Sequence, residues 1–114
     1  MEPLAVLKGT LDMLVLKALT WQPMHGFELT RWLEAKSGSR LVLEDAALYQ
    51  ALYRLEKRAL VDAAWGVTEQ NRRARYYSVT KEGQAELARQ EVWWLEYAQT
   101  VTEMLLEMPG EAGG

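Results

Sequence analysis

The sequence predicts a mainly α fold with one small β-hairpin, closed by a long C-terminal helix. Three observations carry this. Apolar residues recur at steps of three and four through Leu4, Leu7, Leu11, Leu14 and Ala18, and again through Leu48, Ala51, Leu52 and Leu55, the spacing of helices with one buried face. Between Leu60 and Val79 the pattern becomes two β-branched and aromatic runs around a polar centre, which reads as a hairpin. Trp94, Ala98, Val101, Leu105 and Met108 then step by four, three, four and three, a heptad-spaced seam on a single helix.

Taken in order, residues from about 4 to 20 form the first helix, broken by Pro23 and Gly26 in TWQPMHG. Phe27, Leu29, Trp32 and Leu33 begin a second, which ends near KSGS with Gly38 placed to close it. RLVLED is a short β-type run, and Glu44 or Asp45 stands where a helix start favours a carboxylate. AALYQALYRLEKRA, residues 46–59, is the third helix. The hairpin pairs Leu60–Trp65 with Arg75–Val79 across a nine-residue exposed tip, Gly66 to Ala74. Thr80 caps the last helix, which runs to about Met108 and stops at Pro109.

Composition removes several classes of function. Cysteine is absent and His25 is the single histidine, so disulfides, thiolate sites and histidine metal clusters are excluded. No nucleophile constellation or phosphate loop accompanies them, so neither an enzyme nor a cofactor is expected. His25 itself reads as a residue that satisfies backbone groups at a helix start. The longest apolar run, LDMLVLKAL, is short and contains Asp12 and Lys17, unlike a membrane span or a signal-peptide core. A cytoplasmic protein without a membrane partner is the expectation.

Charge is distributed unevenly. The chain carries 13 Lys and Arg against 16 Asp and Glu. Residues 1–81 hold 12 of the basic side chains and nine of the acidic ones, whereas residues 82–114 hold Arg89 and seven acids. A basic working surface with an acidic arm facing elsewhere follows. NRRAR, residues 71–75, concentrates the positive charge at the hairpin tip, where Arg72, Arg73 and Arg75 suit phosphate contact. On the third helix, Ala47, Tyr49, Gln50, Tyr53, Arg54 and Lys57 form the matching surface. Ala47 is small enough for close approach, and the Gln50 amide suits adenine.

Three helices followed by a two-stranded ribbon make a winged helix-turn-helix, in which the third helix enters a major groove of double-stranded DNA. The expected division is a DNA-binding domain over 1–80, a dimerisation helix over 81–108 and a flexible tail over 109–114.

Four segments resemble the PadR family of bacterial transcriptional regulators. They are LKGTLDMLVLKAL, PMHGFEL, ALYQALYRLEKRALV and NRRARYYSVTKEG. The last two look like the family's recognition-helix signature and its wing-to-final-helix junction. The single terminal helix resembles the short subfamily, which lacks a larger C-terminal domain. One departure stands at Ala46-Ala47-Leu48-Tyr49-Gln50, where the family commonly has Gly-Ser or Gly-Thr before Leu-Tyr, and often Pro after it.

The resemblance implies a homodimer in which the last helix packs against the partner's first. Leu7, Leu11, Trp94, Ala98, Val101, Leu105 and Met108 are then the interface residues. It also implies a repressor that releases its palindromic operator when a small aromatic effector binds. Trp93, Trp94 and Met13 are the candidate effector residues. The alternative is a dimer of the same fold that binds small molecules or proteins without specific DNA affinity.

Overall fold

The computed structural model describes residues 3–7 and 9–110. Its elements are β1 (Leu4–Ala5), α1 (Leu11–Leu19), α2 (Gly26–Lys36), β2 (Leu41–Val42), α3 (Asp45–Lys57), β3 (Val61–Val67), β4 (Arg73–Val79) and α4 (Lys81–Leu106). The α1–α2–α3 unit carries β3 and β4 as a wing.

The core is built mainly of leucine. Leu16, Leu29, Leu48, Leu52 and Leu55 are completely enclosed, with Val15 and Val61. Helix α1 is the central piece and touches α2, α3, α4 and β4. Tyr77 is the aromatic member of the core, and burial raises its hydroxyl pKa. Its backbone exchanges hydrogen bonds with Met24 at 2.9 and 3.1 Å, tying the wing to the turn before α2.

The first helix is shorter than its periodicity predicts. Leu4 and Ala5 are extended and pair in parallel with Leu41 and Val42. Gly9, at φ +92°, stands between this strand and α1 in a left-handed conformation that no α-helix contains. The apolar spacing of Leu4 and Leu7 therefore belongs to a small β-bridge and a turn, with helix only from Leu11.

The wing is longer, and its tip shorter, than the sequence predicts. Gly66 pairs with Ala74 and Val67 with Arg73 inside the ladder, leaving residues 68–72 as the tip. Gly66 is tolerated because the Tyr76 ring covers it where a Cβ would stand. Asn71 makes the turn at φ +61°, and its amide donates to the Thr68 carbonyl at 2.9 Å.

Helix α4 begins on a tight junction. The Thr80 hydroxyl accepts from the Gly83 amide at 3.0 Å and donates to the Ala59 carbonyl at 2.8 Å. Gly83 lies directly against the Leu60 carbonyl and the Val79 side chain. Glu86 then accepts from Gln90 at 2.7 Å, from Arg89 at 2.7 and 3.2 Å, and from Arg58 at 3.3 Å. Hydrogen bonds from Gln90 and Arg89, ahead of that from Arg58, lower its pKa to about 2.

The helix then leaves the body. Its 26 residues span about 39 Å, but only Gly83 and Leu87 are buried. The radius of gyration is 17.1 Å, against about 13 Å for a compact chain of this length. The helix ends at Leu106, two residues short of the expected Met108, and Pro109 and Gly110 form a turn. Residues 111–114 of the expected tail lie outside the described residues.

Two outcomes follow. Gly→Ala inside a helix ordinarily stabilises by about 1 kcal/mol; Gly83→Ala reverses the sign, costing about 1–3 kcal/mol through overpacking, read as a lowered melting temperature. Glu86 has a folded pKa below its ordinary 4.5, so its contribution is fully present above that value and lost as pH falls toward 2. Melting temperature should therefore drop between pH 4.5 and 2 in the wild type, and drop less steeply in Glu86→Gln.

Candidate nucleic-acid interface

Helix α3 buries Leu48, Ala51, Leu52 and Leu55. The opposite face is consequently free, and Tyr49, Gln50, Tyr53, Arg54 and Lys57 are exposed along it. Lys57 Nζ lies 5.3 Å from the Tyr53 ring centre, a contact that orders both side chains on the surface. Ala47 is turned inward and packs on the core. Ala46 is the exposed small residue beside it.

Strand alternation sorts the wing. Val61, Ala63, Trp65 and Val67 pair with Val79, Tyr77, Arg75 and Arg73, and directly paired residues share one face. Arg73 and Arg75 therefore stand on the same face as Trp65. The Arg73 guanidinium lies 4.8 Å from the Trp65 ring centre, and Trp65 is 62% exposed. Among the described residues, neither Arg72 nor Arg73 has a carboxylate partner.

Two other arginines are differently placed. Arg54 donates from Nη2 to Asp12 Oδ1 at 2.7 Å and from Nε to Oδ2 at 3.3 Å. The Asp12 hydrogen bond raises the pKa of Arg54. Arg75 donates to Glu56 at 2.9 Å. Arg54 and Arg75, both expected at phosphate, are thus each paired with a carboxylate of their own chain and remain 52% and 41% exposed. Linear sequence hid the pairs: Arg54 and Asp12 are 42 positions apart, and Arg75 and Glu56 are 19 apart.

A groove of about 840 Å³ joins the wing to the helices. Tyr49, Trp65, Thr68, Gln70, Arg72 and Arg73 contribute to its walls, as does the start of α2 at Gly26 and Phe27. The Tyr49 hydroxyl rests against Gly26, at a point where a Cβ would come within 2.6 Å of it. Tyr49 also borders the open α3 surface with Gln50, Tyr53 and Arg54. One tyrosine thus belongs to both surfaces and makes them continuous.

His25 forms a reciprocal cap. Its Nδ1 accepts from the Glu28 amide at 3.3 Å, and its own amide donates to Glu28 Oε1 at 3.1 Å. This is the backbone-satisfying role the sequence suggested. Trp65 and Phe27 were not singled out in the sequence. The cross-strand pairing of Trp65 with Arg75 was the signal for the first; Phe27 carried none, since its neighbours are helix-forming residues.

The interface and effector candidates fall in two groups. Trp94, Ala98 and Val101 are half-buried, whereas Leu105 is 79% exposed and Met108 also stands free. Leu7 is exposed, but Leu11 is only 8% exposed and belongs to the chain's own core. Trp93 stacks on Tyr97, with ring centres 5.1 Å apart and planes 14° off parallel. Trp94 lies 6.5 Å from Trp93. Met13 packs on the core. Tyr97 is an aromatic partner that the heptad count passed over, and its signal was the four-residue spacing from Trp93.

Residues 15–89 match the family described as transcriptional regulator PadR-like. A transcriptional regulator from Clostridium thermocellum has a similar structure, with a TM-score of 0.77, 26% identity, and 88% and 93% of the two chains covered. A PadR family transcriptional regulator from Eggerthella lenta has a TM-score of 0.75 and 32% identity, over 89% of this chain and 86% of that one. A protein of Lysinibacillus sphaericus is 24% identical over 96 residues, 84% of this chain and 88% of its own. No described helix is long and apolar enough to cross a membrane.

The free arginines set an outcome. Arg72→Ala combined with Arg73→Ala should lower affinity for duplex DNA and make its salt dependence shallower, measured by fluorescence anisotropy at two salt concentrations. Melting temperature and mass by sedimentation should not change.

Proposed function

This chain belongs to the PadR-like family of transcriptional regulators, and from that premise we propose that it is a homodimeric repressor of a partly palindromic operator. The carrying observation is the continuous surface from α3 through Tyr49 into the groove beneath the wing. Its layout, one exposed helix face beside a two-stranded wing, is that of a recognition helix in the major groove with the wing along the adjoining backbone. Arg72 and Arg73 supply uncommitted positive charge, and Gln50 is the exposed amide for base readout.

The unpartnered end of α4 supports the dimer. Trp93, Leu95, Tyr97, Met104, Leu105 and Leu106 are exposed on one projecting helix, with Met108 just beyond its end, and exposed apolar clusters of this kind mark interaction sites. The half-buried stripe at Trp94, Ala98 and Val101 extends into it. A second copy related by a twofold axis would cover it and set two recognition helices on successive major-groove faces. Arg89 is the only basic residue beyond position 81, so the paired arms are acidic and turn away from the DNA.

Trp93, Trp94 and Tyr97 form an aromatic cluster on this dimerisation helix. A planar aromatic effector would stack between this cluster and its symmetry mate and alter the spacing of the two recognition helices. Met13, packed on its own core, would act only by adjusting the wall behind the cluster.

The direct test is selection of DNA from a random pool by the purified protein, followed by sequencing. Inverted repeats with half-sites one or more helical turns apart are the expected product; retention of no preferred sequence favours the alternative of a binding module without specific DNA affinity. Leu105→Glu should yield monomeric or unfolded protein, because it places a charge in the apolar seam. A normal dimer by sedimentation would put the interface elsewhere.

A further inference from the structure

Alternate positions at the C-terminal end of α3, the last of them its cap residue Arg58, send their charges to three different elements. Arg54 reaches Asp12 on α1, Glu56 receives Arg75 from β4, and Arg58 reaches Glu86 on α4. The closest distances are 2.7, 2.9 and 3.3 Å. Position 54 looks to α1, position 56 to the wing, and position 58 to the projecting helix. No other helix among the described residues is joined by ion pairs to three separate elements.

We propose that this hub is a positioning device, and that Glu56 promotes DNA binding although its own charge opposes it. The inference rests on the DNA-binding reading above. Among the described ion pairs, Glu56–Arg75 is the one that spans α3 and the wing, the two elements that must meet the duplex at once. It lies on the wing face that carries Trp65 and Arg73. Its side chains are 36% and 41% exposed, so the pair adds little to global stability. What it supplies is order: a wing held at one distance from α3 does not have to be immobilised when the duplex arrives.

The sign of one substitution decides the matter. Glu56→Gln removes a negative charge from beside a polyanion, and simple electrostatics predicts tighter binding. Loss of positioning predicts weaker binding, by about three- to tenfold for the ordering of one link.

The test uses the full-length dimer and the operator it selects. Glu56→Gln and Arg75→Gln should each weaken affinity with an unchanged slope of log affinity against log salt. Their melting temperatures should stay within a few degrees of the wild type. The exchanged pair, Glu56→Arg with Arg75→Glu, should recover most of the affinity. Should one single variant fail to fold, the other and the exchange carry the same comparison.

Binding by Glu56→Gln that equals or exceeds the wild type overturns the proposal. So does a salt slope in Arg75→Gln shallower by about one unit, because that marks a lost phosphate contact. A wild type that retains no DNA from the pool fails the DNA-binding reading itself and takes the hub with it, an outcome recognisable before any variant is made.

Discussion

The burial of Leu48, Ala51, Leu52 and Leu55 against α1 is the constraint on which the rest of the molecule depends. A helix of 13 residues that commits one face to a leucine core must present the other, and Tyr49, Gln50, Tyr53 and Lys57 have nowhere else to go. Removing that packing would not merely destabilise the fold; it would abolish the surface. The wing depends on the same core through Val61 and Tyr77, which bury the base of the hairpin and leave its outer half free to carry Trp65, Arg72 and Arg73.

The charged residues divide by what they can reach. Those near the core, Arg54, Arg58 and Arg75, find carboxylates on other elements and stay with them. Those at the end of the wing, Arg72 and Arg73, have no carboxylate partner among the described residues. The distinction matters because a guanidinium paired with a carboxylate has part of its charge and some of its five N–H donors engaged, whereas an uncommitted one offers all of them to a phosphate. A basic cluster in the sequence is therefore two populations in the fold: one that holds elements together and one that is available to a partner.

The far end of α4 is left uncovered by the described residues. Up to Glu91, where Lys17 of α1 reaches within 3.9 Å, α4 is part of the body. Past Val101 it is exposed throughout, and Met104, Leu105 and Leu106 there are left uncovered by the described residues. The junction at Thr80 and Gly83 fixes the direction in which this helix leaves, so the geometry of any twofold assembly is already decided by a cap and by a glycine that could not be larger.

Much of this was readable from residue order. Periodicity located the third helix, β-propensity located the hairpin, Thr80 and His25 announced their caps, and the motif order identified the family, because each of these signals is local and spans only a few residues. Other features were not local. The short pairing of Leu4–Ala5 with Leu41–Val42, the extension of the ladder through Gly66 and Arg73, the inward turn of Ala47, and the ion pairs of Arg54 and Arg75 all join residues distant in sequence or depend on what lies across a strand. Sequence by itself determined the main helices and the hairpin, their order and the kind of surface they would make. Tertiary structure alone decided which arginines remain uncommitted, because a charge's partner is set by proximity in space.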